Sequence, residues 1–227
     1  MRKLFPLICF LAFGLQCYSQ NALRDDLNGV YYDPTLYMQR YDIEDGSPYL
    51  DLEFKPAKIG DRDKTYLIRF NAYEGSVEVW IKENKVIELS PTGDEFIKML
   101  DGSNTEYEFT KFKNQDGKVK TSFLERLKSS TSYSLYKKET IKYFKKTKAE
   151  GYAPSKPARF EKVNPQFYLR PPGEKGMPIY LPGSKKKFLA VFGPKNAAKA
   201  KALIKKERLN LTKQEDIARV LDSIYGE

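Results

Sequence analysis

Hydrophobic and polar residues alternate along much of the chain. In residues 65–72 every second residue is large and apolar (Tyr66, Ile68 and Phe70), and residues 77–81 alternate in the same way after a Glu-Gly turn. Alternation with a period of two is typical of a strand that buries one face. The two segments therefore predict an antiparallel hairpin.

Further short runs predict that the strands continue as a meander. Residues 106–113 and 118–124 flank Gln-Asp-Gly, a strong hairpin-turn signal. Other strand candidates are 86–89, 133–136, 140–144, 167–169, 179–181 and 188–192. Residues 21–64 are rich in tyrosine and turn residues, which indicates short strands and loops.

The pattern changes to a helical one after residue 192. Gly193 and Pro194 predict a helix start, and Ala197, Ala200 and Ile204 then recur on one face. A capping box at 212–215 predicts the start of a second helix, in which Ile217, Val220, Leu221 and Ile224 form an apolar stripe that Gly226 ends. We therefore predict an α+β protein: an antiparallel β-meander in a strongly curved sheet, with a basic C-terminal helical hairpin.

Residues 1–19 have the three parts of a secretory signal peptide: a basic start, an apolar run from 4 to 15, and a small-residue exit. About a dozen apolar residues are fewer than the roughly 20 that cross a bilayer. We predict cleavage after Ser19 and an exported protein, periplasmic or extracellular, with no transmembrane anchor. A lipoprotein acylated at Cys17 is the alternative, but Gln16 is bulky where a small residue is expected.

Residue types that are absent exclude much chemistry. Both cysteines, Cys9 and Cys17, lie in the predicted leader, and the chain has no histidine. The mature chain therefore has no disulfide, thiolate nucleophile, Ser-His-Asp triad or His-ligated zinc. Carboxylate pairs, Ser-Lys chemistry and all-oxygen metal sites remain. We predict no cofactor, no metal and no catalysis.

The charge of the mature chain is divided unevenly. Residues 20–136 carry 16 Lys+Arg against 21 Asp+Glu, whereas residues 137–227 carry 22 against 9. Together with the strand pattern, this predicts an acidic β-rich part at 20–150. The remainder, 151–227, holds short strands and the helical hairpin, and we expect it to pack against the first part.

Nine cations concentrate in one segment that has a single acid, Glu207. They are Lys185, Lys186, Lys187, Lys195, Lys199, Lys201, Lys205, Lys206 and Arg208. Lysines commonly cover solvated helix faces, so a purely solvated surface is one interpretation. The other is a surface for an anionic partner: an acidic envelope protein, an anionic glycan or a lipid headgroup. Nucleic acid is not expected, because lysine greatly outnumbers arginine and no recognition fold is indicated.

Three segments resemble a group of uncharacterised secreted proteins of Bacteroidota. They are residues 46–54 (Gly-Ser-Pro-Tyr-Leu-Asp-Leu-Glu-Phe), the hairpin from 69 to 79, and the tail from 187 to 211. The resemblance implies a secreted or cell-envelope location and a β-rich body. It also implies a tail with a strand at 187–192 followed by two helices. It implies no known activity or catalytic residues.

Acidic residues offer two further candidates. Asp42, Glu44 and Asp45 have the spacing of a calcium loop but lack its downstream glutamate, which favours a solvated acidic turn. The pairs Asp51 with Glu53 and Glu74 with Glu78 could serve glycoside hydrolysis.

Tyrosines 31, 32, 37, 41 and 49 crowd one stretch, and Trp80 lies on the polar face of its strand. Such rings either wedge between elements or contact a sugar or protein partner. Trp80 is our single candidate for such a surface contact.

These observations favour a non-catalytic binding protein of the cell envelope. A small carboxylate-dependent hydrolase acting on envelope glycans is the alternative, and a purely structural envelope protein is a third possibility.

Overall fold

A computed structural model of the protein describes residues 27–41, 43–91, 95–130, 132–149, 154–173 and 176–226. The strands are β1 (Gly29–Tyr32), β2 (Lys55–Ile59), β3 (Tyr66–Asn71), β4 (Ser76–Lys82), β5 (Lys85–Leu89), β6 (Phe96–Met99), β7 (Glu106–Lys113), β8 (Val119–Ser129), β9 (Ser134–Phe144), β10 (Arg159–Arg170) and β11 (Ile179–Leu181). The helices are α1 (Pro34–Met38), α2 (Lys185–Leu189), α3 (Pro194–Glu207) and α4 (Gln214–Tyr225). The predicted α+β class, with a β-meander and C-terminal helices, is confirmed.

One sheet contains all eleven strands, in the order β1-β5-β4-β3-β2-β6-β7-β11-β10-β9-β8, with a further pairing of β7 and β8. The predicted hairpin is β3–β4, in which Ile68 lies opposite Val79. Gly75 at its turn has a φ of +78°, which favours glycine. The second predicted hairpin is β7–β8, paired from Tyr107 to Lys113.

The last five strands close into a ring. Strand β7 pairs with β8, β8 with β9, β9 with β10 and β10 with β11, all antiparallel. A short parallel contact, Ile179 opposite Lys113, joins β11 back to β7. The curvature predicted for the meander is therefore greatest in its second half.

Alternation along the strands divides the interior into separate cores. In the first half, Ile59, Ile68, Val79, Ile87 and Ile97 bury one face of β2–β6, and Phe123 of β8 packs with them. At the other end, a larger apolar cluster joins the outer face of the ring to the helices. Its buried members include Leu135, Phe167, Leu169, Phe188, Ile204, Ile217 and Leu221. The predicted apolar stripes of α3 and α4 therefore anchor the helical hairpin on the sheet.

Three local predictions were wrong. Residues 133–136 and 140–144 are not two strands but one, β9, because Lys137 between them pairs with Glu125 at 2.8 Å on the neighbouring strand. The strand predicted at 188–192, also implied by the family resemblance, is absent: its first two residues end the helix α2, and residues 190–192 form a turn. There Phe188 and Phe192, four residues apart, pack together at 5.3 Å between ring centroids, a helical spacing.

The capping box is the third error. Helix α4 begins at Gln214 after Lys213, without a side-chain cap. The Thr212 hydroxyl donates to Asn210 Oδ1 at 2.8 Å instead, so it does not cap the helix.

Asp222 ties α4 to the sheet and gives a testable pH dependence. It accepts hydrogen bonds from Lys128 Nζ at 2.5 Å and from the Tyr133 hydroxyl at 2.8 Å. Partial burial raises the pKa of Asp222, but these two contacts outweigh it, so the pKa lies below its ordinary value. The contacts therefore stabilise the fold above the unfolded pKa, about 3.9, and this stabilisation is lost as the pH falls through the lower folded pKa.

We expect Asp222→Asn to lower the free energy of unfolding by at most about 1 kcal/mol at neutral pH, because the pair is partly exposed. The difference from the wild type should shrink below about pH 3.9. Urea unfolding at neutral and acidic pH measures both values. Asp63→Asn, on an exposed turn, is the control. A loss for Asp222→Asn that is equal at both pH values would contradict this assignment.

The segment around residue 151 does not separate the sheet. Strand β10, after it, pairs with β9, before it, over ten residue pairs. The predicted leader at 1–19, Asp42 of the acidic turn and residues 150–153 lie outside the described residues. Among the helices that the structure describes, none is long and apolar enough to cross a membrane.

Candidate functional site

The cations predicted to contact an anionic partner lie on and around two neighbouring helices. Three are in α2, five are in α3, and Arg208 follows α3 with a φ of +53°. All nine side chains are exposed: Lys185, Lys186, Lys187, Lys195, Lys199, Lys201, Lys205, Lys206 and Arg208. We call this set the cationic surface.

The helical repeat explains why α3 presents its lysines together. At about 100° per residue, Lys195, Lys199 and Lys206 project within about 40° of one another. Ala200 and Ile204 point the opposite way and are buried against α4 and the sheet. The apolar face that anchors α3 therefore turns the lysines outward.

Among the described residues the cationic surface has no acidic partner of its own. Over the described ranges, none of its nine side chains forms an ion pair. Glu207, the one acid in this segment, pairs with Arg219 of α4 at 3.5 Å. Lys195 and Lys199 lie about 6 Å apart along the axis, less than the Debye length of about 8 Å, so their fields add.

Of the two predicted carboxylate pairs, Glu74 with Glu78 is already engaged. Glu78 has no exposed surface and accepts hydrogen bonds from Arg69 Nε at 2.8 Å and from the Tyr32 hydroxyl. Glu74 accepts from the Tyr37 hydroxyl at 3.1 Å. These contacts join Glu78 to β1 and β3, and Glu74 of the β3–β4 turn to α1.

Glu88 lies opposite Glu78 on β5. Burial raises the pKa of Glu88, and the nearby Glu74 and Glu78 raise it further. A raised pKa suits a general acid. Glu78, the carboxylate opposite Glu88, is however held by Arg69 and is fully buried, so it cannot contact a substrate as the second carboxylate of a pair.

The tyrosine-rich stretch is used mainly for packing. Tyr37 and Tyr49 are buried, and the Arg69 guanidinium lies 3.6 Å from the Tyr49 ring centroid. Trp80 differs, because 44% of its surface is exposed. It faces outward between β3 and β5, and its role as a partner contact stays a prediction.

The other predicted pair, Asp51 with Glu53, lies at the rim of a cleft of about 200 Å³. Ile68, Phe70 and Met99 contribute apolar surface to the cleft, and Asp101 adds a third carboxylate. Lys55 pairs with Asp51 and lies 3.7 Å from Asp101. Hydrogen bonds from Ser103 hold the pKa of Asp101 below its ordinary value, which does not suit a general acid.

A smaller cavity of about 20 Å³ adjoins this cleft, and the two share Leu50, Phe70 and Tyr107 as lining residues. We call them together the central groove. Lys138 lines the smaller cavity, beside Gly75 and Ser122. Burial lowers the pKa of Lys138, and its amine has no hydrogen bond or ion pair with any described residue.

Sequence reasoning missed the central groove. Its residues come from positions 50 to 139, and only the folded sheet brings Phe70, Tyr107 and Lys138 together. No local signal marked Lys138, because the sequence does not show that its neighbours Lys137 and Glu139 form ion pairs across the sheet. No set of three acids, in the part of the chain that is described, is placed to hold a metal ion.

Comparisons of the chain with protein-family models, with curated proteins and with solved structures find no match. The resemblance to secreted Bacteroidota proteins therefore stays a prediction.

Proposed function

We propose that the mature chain is an exported, non-catalytic binding protein that attaches to anionic phosphate groups of cell-envelope lipids through the cationic surface. The observation that carries this proposal is nine exposed cations without an ion pair among the residues described. Like charges held close together repel in the free protein, and an anionic partner relieves that repulsion.

Lysine chemistry supports a surface of anions as the partner. An ammonium is a compact, freely rotating point charge, whereas fixed bidentate recognition favours arginine. Each Lys or Arg close to an anionic membrane surface contributes about 1 kcal/mol of attraction. Several such contacts together bind a flat anionic surface without a shaped pocket, which matches the exposed lysines of α3.

The placement of the carboxylates supports a role without catalysis. Glu78 is inaccessible, and Asp101 has a lowered pKa rather than the raised one that a glycosidase acid needs. The hydrolase hypothesis would require turnover of an envelope glycan by the purified mature protein, and we expect none.

Co-sedimentation with vesicles tests the proposal. We expect the mature protein to bind vesicles that contain phosphatidylglycerol and not vesicles of phosphatidylcholine alone. Binding should weaken as added salt shortens the Debye length from about 10 Å at 0.1 M to about 3 Å at 1 M. Dextran sulfate, a soluble polyanion, tests a glycan as the source of the anions: binding to it in preference to the phosphatidylglycerol vesicles would indicate a glycan rather than a lipid. Equal binding to both vesicle types, or none to any anionic probe, would overturn the proposal.

A further inference from the structure

The central groove is a second candidate site, distant in sequence from the cationic surface. Its two ends differ in charge. Asp51, Glu53 and Asp101 surround the larger cavity. The smaller one is lined by Glu125 and Glu139, which both pair with Lys137, at 2.8 and 3.4 Å, and by Lys138, which forms no ion pair with a described residue. Apolar side chains line both cavities. We propose that the central groove binds a small zwitterion, an aliphatic amine whose other end carries a carboxylate.

The acidic end carries more negative than positive charge. Two cations line this end among the described residues. Asp51 and Asp101 share Lys55, and the Arg69 guanidinium is engaged by Glu78 at 2.8 Å. Glu53 is exposed and has no ion pair with any residue that the structure describes. An alkylammonium group placed here would meet the Glu53 carboxylate, which no described cation neutralises.

The opposite end offers an amine in need of an anion. Gly75 has no side chain, and a Cβ there would lie 3.9 Å from Lys138 Nζ and 2.9 Å from Ser122 Oγ. The cavity beside them is large enough for about one water molecule. A ligand carboxylate with one oxygen in this cavity would pair with the partly desolvated amine and favour its charged form.

The middle of the groove fits an aliphatic chain. Leu50, Phe70 and Tyr107 line both cavities. Burial raises the pKa of Tyr107, and Glu125, Glu139, Asp101 and Asp51 raise it further, so the phenol stays neutral. Because the same three side chains line both cavities, one short ligand can reach both ends.

NMR titration of the isotope-labelled mature protein tests the assignment with three matched probes. 6-Aminohexanoate carries both charges, whereas hexylamine and hexanoate carry one each. We expect 6-aminohexanoate to bind about tenfold more tightly than either, because it adds a charged contact. Trialanine, also a zwitterion, tests a peptide source: tighter binding than 6-aminohexanoate would name a peptide as the ligand.

Two variants separate the ends. Lys138→Met should reduce the affinity for 6-aminohexanoate to that for hexylamine and leave hexylamine binding unchanged. Glu53→Gln should weaken the binding of both 6-aminohexanoate and hexylamine. Glu83 is an exposed acid on the β4–β5 turn, and Glu83→Gln should weaken the binding of neither. If Lys138→Met does not fold, acetylation of the wild type replaces it: 6-aminohexanoate, not hexylamine, should slow modification of Lys138 without protecting Lys137.

The proposal is overturned if no probe perturbs the groove amides. It is also overturned if the three single-chain probes bind equally, or if a folded Lys138→Met variant binds 6-aminohexanoate as the wild type does. Vesicle binding by the cationic surface does not depend on these outcomes.

Discussion

Replacing Glu108 by glutamine is expected to lower the free energy of unfolding by about 3–5 kcal/mol. The Glu108 carboxylate on β7 is buried and accepts hydrogen bonds from Arg170 at 2.7 Å, Arg126 at 2.7 Å and the Tyr136 hydroxyl at 2.9 Å. These partners come from β10, β8 and β9, so one carboxylate links four of the five ring strands. Without its charge, the partly buried Arg170 guanidinium loses its carboxylate, and Arg126 keeps only Glu106, at 3.6 Å.

The same contacts give this loss a pH dependence. Burial raises the pKa of Glu108, but the hydrogen bonds from Arg170, Arg126 and Tyr136 outweigh it and hold the pKa below its ordinary value. A lowered folded pKa means stabilisation that is present above the unfolded pKa, about 4.3, and lost as the pH falls through the folded one. The difference between the wild type and Glu108→Gln should therefore narrow in acid.

Urea unfolding at neutral and acidic pH measures this effect. Glu106→Gln is the matched control, since Glu106 lies on the same strand and contacts the same Arg126, at 3.6 Å, but its side chain is 41% exposed. We expect the control to cost less than about 1 kcal/mol. Equal losses for the two variants would show that Glu108 does not organise the ring.

Replacing Lys195, Lys199 and Lys206 together by glutamine should reduce binding to phosphatidylglycerol vesicles about 100-fold. Three cations at about 1 kcal/mol each account for this factor. Glutamine is a good helix former, so α3 should persist, and unchanged circular dichroism would show it.

The control changes net charge equally at another place. Lys111, Lys118 and Lys120 lie exposed on the β7–β8 hairpin, and the triple replacement by glutamine should leave vesicle affinity within about twofold. If both triple variants lose affinity equally, the protein responds to total charge alone, and the cationic surface is not a specific site.

Local patterns predicted those parts of the fold in which neighbouring residues decide the structure. Alternation located β3 and β4, and the Gln-Asp-Gly turn located β7 and β8. The helical spacing of Ala200, Ile204, Ile217 and Leu221 located the buried faces of α3 and α4. Phe188 was misassigned because a short apolar run fits a strand and a buried helix equally well.

The remaining features depend on contacts between distant residues. Closure of the ring rests on a single pairing, Ile179 with Lys113, which no local pattern signals. Glu108 and Glu106 look alike in sequence, yet only Glu108 faces Arg170, 62 positions later. The cationic surface was predictable because charge and helical period are both local, whereas the central groove required the folded sheet.

Lysine footprinting of the mature protein bound to cell-envelope fractions tests the central claim most directly. Each lysine is acetylated with and without the envelope, and its modification is measured by mass spectrometry. We predict that the envelope protects Lys195, Lys199 and Lys206 from acetylation at low salt and not at high salt. Lys111 and Lys118 should react equally with and without the envelope. Protection confined to the β-rich part, or none on α3, would contradict binding through the cationic surface.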